Sequence, residues 1–134
     1  MSPPLLDTNV LIYAVSDDRR GEKARALLAG SFVVSVQALN EFANVARRKL
    51  GFSWAEVRGA VSDFAVLAER IVALDHPLHL RGLELAERYD LSVYDALMLA
   101  AADRAGCAFC LSEDMQDGML IDGRLTIRNP FSDG

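Results

Sequence analysis

Cysteine, histidine and tryptophan are scarce in this chain of 134 residues, with two, two and one of each. The cysteines, Cys107 and Cys110, stand as C-x-x-C in AGCAFCLS, the spacing of a redox pair or of half a zinc site. The surrounding residues read as a strand, on which positions three apart face opposite sides. No second pair of metal-binding residues accompanies them, so they read as two small buried hydrophobes. His76 and His79, in DHPLHL, read as surface or capping residues. Long apolar runs are also missing: none reaches the roughly 18 residues that would span a bilayer. The start, MSPPLLDTNV, lacks a basic segment and is interrupted by Asp7, so no signal peptide is expected and the protein is expected to be cytoplasmic. Positive charge is in deficit, with 14 Lys and Arg against 19 Asp and Glu and a net charge of −5. That argues against a general electrostatic grip on nucleic acid. It does not exclude a nuclease whose acidic site is bridged to phosphate by cations. Repeats, low-complexity stretches and linkers are absent, and one domain over residues 1–134 is expected.

What remains is ordinary globular material, 51% hydrophobic and 25% charged, enough to bury roughly two-thirds of the unfolded surface. Apolar runs alternate with helical patterns, as in βαβ units around a parallel sheet. PLLD, SFVVS, RIVALD and CAFCLS read as strands, with RLTIR as a last one stopped by Asn129 and Pro130. The Asp122–Gly123 pair fits either a hairpin with MLI or a short irregular connection. Helices are expected from VLIYAV, from GEKARALLAG, and from QALNEFANVARRKLG with Leu39, Phe42, Ala43, Ala46 and Leu50 inward. A further helix starts at a capping box of Ser53 and Glu56. Two more follow Pro77 and Ser92. The expected fold is α/β, a three-layer α/β/α sandwich with a central, mostly parallel sheet.

In such a sheet, ligands bind outside the carboxyl ends of the strands. Asp7 closes the first strand, Asp114 lies just beyond the fourth, and Glu41 occupies the second turn of the helix entered from the second. Connectivity alone brings these three to one edge. Asp95 is less firmly placed, because its helix follows another helix. Each acid has a plain account by itself: Asp7 as a helix cap, Asp95 within a cap, Glu41 and Asp114 as solvated charges. Their common edge is the stronger argument. Two unit charges ~4 Å apart repel by about 4 kcal/mol at an effective dielectric of 20. Four carboxylates together would therefore show raised pKa values or recruit cations. An all-oxygen set suits Mg²⁺ or Mn²⁺ rather than zinc.

LLDTNVLIYA, LNEFANVARRK, LSVYDALMLAAA and LSEDMQDG, in this order and ending in IRNPF, resemble the PIN-domain family, in particular its VapC-like toxins of bacterial toxin–antitoxin pairs. The resemblance spans nearly the whole chain. It implies a metal-dependent ribonuclease with an acidic cluster at Asp7, Glu41, Asp95 and Asp114, of which Asp7 and Asp95 would ligate the metal directly. It matches Thr8, Asn9 and Ser112 to polar supporting residues, with Asp117 as a further acid near the fourth position. It also implies an antitoxin partner and a homodimer, for which the apolar surfaces in FAVLAER and RGLELAERY are suited.

The reaction expected is hydrolysis of RNA by water, leaving a 5′-phosphate and a 3′-hydroxyl. Arg48, seven residues after Glu41, shares a helix face with it and is a candidate to hold RNA. Arg47, Lys49, Arg19 and Arg20 are further candidates, and single-stranded or loop RNA is the expected target. The alternative is a non-catalytic module whose acidic groove binds a basic protein. Phosphoryl transfer through Asp7 fits poorly, since Asn9 stands where a second Asp would be wanted and no Lys follows CAFCLS.

Overall fold

A computed structural model describes residues 2–132. Its strands are short: β1 (Leu5–Leu6), β2 (Val33–Ser35), β3 (Arg70–Val72), β4 (Phe109–Leu111), β5 (Leu120–Ile121) and β6 (Leu125–Arg128). They form one sheet in the order β3-β2-β1-β4-β6-β5. Every pairing is parallel except β5 with β6. In register, Leu5 of β1 lies beside Val33 on one side and Cys110 on the other.

Six helices connect them: α1 (Thr8–Ala14), α2 (Gly21–Ala29), α3 (Val36–Arg48), α4 (Trp54–Leu67), α5 (His76–Tyr89) and α6 (Val93–Arg104). From β1 to β3 the chain steps outward in one direction, then returns across the sheet to β4. Right-handed crossovers therefore place α1 to α4 on one face and α5 with α6 on the other. This is the three-layer sandwich expected from the alternation of patterns. Helix α6 is buried continuously from Ala96 to Ala102, as suits a helix covered on all sides. It lies against α5 so closely that a Cβ on Gly82 would stand 2.8 Å from Leu97 Cδ2. Phe42 and Phe64 meet edge to face at 4.9 Å and join α3 to α4.

Local signals set the boundaries. Ser53 and Glu56 make both bonds of the capping box, at 3.1 and 2.8 Å. Ser35 Oγ accepts from Ala38 N, so α3 starts directly at the end of β2, one residue before the expected start. Asp122 and Gly123 take positive φ of 51° and 74°, and Arg124 N donates to Ile121 O at 3.1 Å. That is a primed turn, and it decides for the hairpin. Cys107 and Cys110 are both buried and unpaired, as expected. Among the described residues, no helix is long and apolar enough to cross a membrane.

Candidate active site

Asp7 is the pivot. Its backbone N–H extends the sheet to Leu111 O, and its side chain caps α1 by accepting from Thr8 N at 2.7 Å. The capping account and the cluster account thus hold together. Ser112, immediately after β4 and fully buried, donates from Oγ to Asp7 Oδ2 at 2.6 Å. The same oxygen accepts from Asp114 N and Met115 N. One hydroxyl therefore joins the end of β1 to the turn that carries Asp114.

Glu41 is held in a similar manner. Thr8 Oγ1 donates to one carboxylate oxygen at 3.1 Å and Gln37 Nε2 to the other at 2.6 Å. Gln37 is absent from the residues expected of the site; its only signal is its position one helical turn before Glu41. The donors around Asp7 and Glu41 are neutral, so they orient the carboxylates without neutralising them. Each oxygen of an ionised carboxylate has two lone-pair sites, and only one bond is made at each here.

The placement of Asp95 follows from a distant ion pair. Asp75 caps α5 and also binds Arg104, at the far end of α6, through two bonds of 2.9 and 3.0 Å. The start of α5 therefore lies beside the end of α6. Helix α6 opens at the opposite end, where Ser92 caps it by accepting from Asp95 N. This brings Asp95 to the edge with Asp7, and leaves His76 and His79 exposed in the first turn of α5, away from the acids.

Electrostatics reflect that assembly. Burial, at 5% exposure, pushes the Asp7 carboxyl up from 3.8 to about 6. The bonds from Ser112 and Thr8 oppose the shift, and the charges of Glu41 and Asp95 add to it. Asp95 is raised as well, chiefly by burial, with Asp114 adding repulsion. A cavity of about 340 Å³ opens over this edge, lined among others by Thr8, Asn9, Glu41, Asn44 and Asp114. Both polar atoms of the Asn9 side chain are buried there without a hydrogen-bond partner among the described residues. Another cavity of about 350 Å³, between α2 and α4, is mainly apolar and lacks such a convergence.

Among the described residues, no three Cys, His, Asp or Glu side chains stand close enough to grip a metal ion together. The donors nevertheless suit a hard cation: they are all oxygen, lack a cationic partner among the described residues, and include a carboxylate whose charge is poorly tolerated where it sits. The unpartnered Asn9 amide fits the same picture. Asp7 and Glu41 are fixed by their hydrogen bonds, whereas Asp95 is half-buried and Asp114 exposed.

The remaining candidates separate cleanly. Asp117 accepts from Asn129 N at 2.9 Å, holding the β4–β5 connection to the end of β6. Arg47 donates to Phe52 O and lies over the Trp54 ring, which ties down the α3–α4 loop. Arg20 binds Asp18 and Glu113 and covers the Tyr13 ring, and Tyr13 OH also donates to Glu113. These contacts anchor the residue next to Asp114. Arg48 and Lys49 make no ion pair among the described residues, and with Asn44 they line a third cavity of about 430 Å³.

A model of the PIN domain matches residues 5–116, a span that contains every acid of the cluster. The chain belongs to the PIN-domain family. No curated protein matches it. Among solved structures, this PIN domain superposes on a toxin–antitoxin complex from Klebsiella pneumoniae with a TM-score of 0.73 and 20% identity, covering 96% of this chain and 98% of that one. It also resembles VapC20 of Mycobacterium tuberculosis, described as a sarcin–ricin loop cleaving toxin (TM-score 0.65, 22% identity, 82% and 90% covered). VapBC2 of Rickettsia felis, bound to a DNA fragment from its promoter, gives 0.62, 18%, 93% and 98%. At these identities the likeness establishes the fold of the PIN domain and no more.

Proposed function

We propose that this PIN domain is a Mg²⁺- or Mn²⁺-dependent endoribonuclease, the toxin of a toxin–antitoxin pair acting in the cytoplasm. One observation carries the reading: Asp7 is buried, oriented by neutral donors and, among the described residues, left without a counter-charge. Asp7 and Asp95 would hold the ion, with Glu41 and Asp114 completing its surroundings. Such an ion, when bound, draws charge from a phosphate and makes water more acidic.

The chain's own groups do the rest. The Asn9 amide can donate to a nonbridging phosphate oxygen, satisfying a group otherwise left unpaired in a buried position. Arg48 and Lys49 lie farther along α3, where phosphates of a bound strand can be neutralised. Exposed Asp114 accepts a proton from the attacking water, and the 3′ oxygen leaves with a proton from solvent. The products are a 5′-phosphate and a 3′-hydroxyl.

The test is incubation of single-stranded RNA with wild type and Asp7→Asn, in Mg²⁺ or Mn²⁺, with and without chelator. Chelator-sensitive cleavage confined to wild type is expected. A 2′,3′-cyclic phosphate product would overturn the mechanism.

Two of the structural neighbours carry an antitoxin or its DNA, which supports a basic antitoxin segment as the partner of the acidic groove. That partner also suits the alternative of a binding module: tight binding of a basic peptide with RNA left intact in Mn²⁺ would favour it. A homodimer is proposed from apolar side chains left exposed: Val66 and Leu67 on α4, Leu80 and Leu83 on α5.

A further inference from the structure

Tyr94 has no place in the mechanism just given, and its setting calls for one. It stands next to Asp95 in the first turn of α6 with 65% of its surface exposed, although the seven residues from Ala96 onward are buried. It enters no ring contact among the described residues. Instead it lines a cavity of about 460 Å³ with Asn40, Glu41 and Asn44 of α3. That cavity shares Glu41 and Asn44 with the one lined by Asn9 and Asp114, and Asn44 with the one beside Arg48 and Lys49. The three are compartments of one groove along α3. Glu41 and Asn44 stand at their junction, with Asn9 and Asp114 on one flank, Tyr94 and Asn40 on another, and Arg48 with Lys49 farther along the helix.

We infer that Tyr94, with Asn40 and Asn44, forms the site for an unpaired purine base flanking the scissile phosphate. This rests on the ribonuclease reading and adds to it what the site recognises. The chemistry is specific. An aromatic face stacks on a base, most strongly on the larger purine ring system. A carboxamide offers a donor and an acceptor side by side, matching the paired groups on a base edge. Asn40 and Asn44 are one helical turn apart on the same face of α3, so both amides reach the same compartment. A duplex hides these groups, which makes single-stranded or loop RNA the substrate. Glu41 links this compartment to the acids, so a base held on Tyr94 sets which phosphate lies over Asp7. Tyr94 is accordingly a specificity residue.

The test uses short single-stranded RNAs carrying one 2-aminopurine among uridines, bound in chelator so that no cleavage intervenes. Wild type should quench the fluorescence of 2-aminopurine, and Tyr94→Ala should abolish the quenching and weaken binding by about tenfold. Tyr94→Phe should retain both. Replacing the purine by an abasic nucleotide should erase the difference between wild type and Tyr94→Ala. Equal affinity and quenching in wild type and Tyr94→Ala overturns the inference. So does a Tyr94→Ala protein that differs only in its monomer–dimer equilibrium, because the ring then covers a second copy of the chain. If wild type binds and quenches but never cleaves in Mg²⁺ or Mn²⁺, the base site stands and the nuclease reading falls. If wild type cleaves and Tyr94→Ala cuts at the same positions at the same rate, the base site alone falls. If wild type neither binds nor cuts single-stranded RNA, both fall.

Discussion

The chain gathers acids in two places and answers them in opposite ways. Around the β5–β6 turn, Asp122 accepts from Arg81, Arg88 and the Tyr89 hydroxyl. Asp103 beside it binds Arg124 through two bonds of 2.8 and 3.1 Å. The Arg81 bond first, then Tyr89 and Arg88, hold the Asp122 carboxyl well below the usual carboxylate range. At the carboxyl edge of the sheet no arginine or lysine among the described residues pairs with Asp7 or Glu41, and the donors are a serine, a threonine, a glutamine and a backbone amide. There the Asp7 carboxyl goes up. The first arrangement completes a charge and fastens α5 to the hairpin. The second orients a charge and leaves it for something else to complete.

Asp7→Asn breaks the contrast most severely. Cleavage should fall at least about a hundredfold, because even an indirect support of a metal ligand is worth 10–100-fold. The stability of the variant should also lack a pH dependence that the Asp7 carboxyl gives wild type. Between its unfolded value near 3.8 and its native value near 6, the native carboxyl binds more protons than the unfolded one. Stability contributed by Asp7 is thus present at pH 4 and lost as pH rises through about 6. In chelator, wild type should lose about 3 kcal/mol relative to the variant between pH 4 and pH 7.5, as denaturant midpoints would measure, on top of a pH-independent cost of setting the asparagine NH2 against a donor. Parallel pH profiles of wild type and variant would deny that burial raises the Asp7 carboxyl.

Ser112→Ala comes next. Manganese affinity in calorimetry should drop by about 10–100-fold, since Asp7 loses the hydroxyl that fixes it. Undiminished affinity would make that hydrogen bond irrelevant to the site. Asp122→Ala probes the other cluster. Losing its bonds to two arginines and a tyrosine should cost about 1.5–3 kcal/mol of stability while leaving cleavage intact. Lost cleavage in a folded protein would mean the two clusters are coupled. Arg48→Ala should have the smallest effect: binding of single-stranded RNA a few-fold weaker, and a log–log salt slope shallower by about 0.7. An unchanged slope removes Arg48 from the interface.

The sequence showed some of this and concealed the rest for identifiable reasons. Asp7, Glu41 and Asp114 were legible because strand ends in a parallel sheet have a fixed edge. Asp95 needed the antiparallel pairing of α5 with α6, which the bond between Asp75 and Arg104 records across 29 positions. Arg47 and Arg20 looked like RNA contacts only until Trp54 and Glu113 were seen beside them. Gln37 and Tyr94 went unremarked, since a buried amide and an exposed ring differ from their opposites only in three dimensions. Asp122 and Gly123 left hairpin and irregular connection equally open, and positive φ at both decided it.

Ser112 has a final consequence. A hydroxyl has one hydrogen and two lone pairs, and its oxygen here is claimed by the amides of Asp114 and Met115. Its hydrogen is left to point at Asp7, so Oδ2 is obliged to accept, as Oδ1 is by Thr8. A proton arriving on Asp7 must then use the lone pairs those donors leave over, the same ones a divalent ion would want. Acidity and metal are rivals for one seat, and two backbone amides keep the back of it closed.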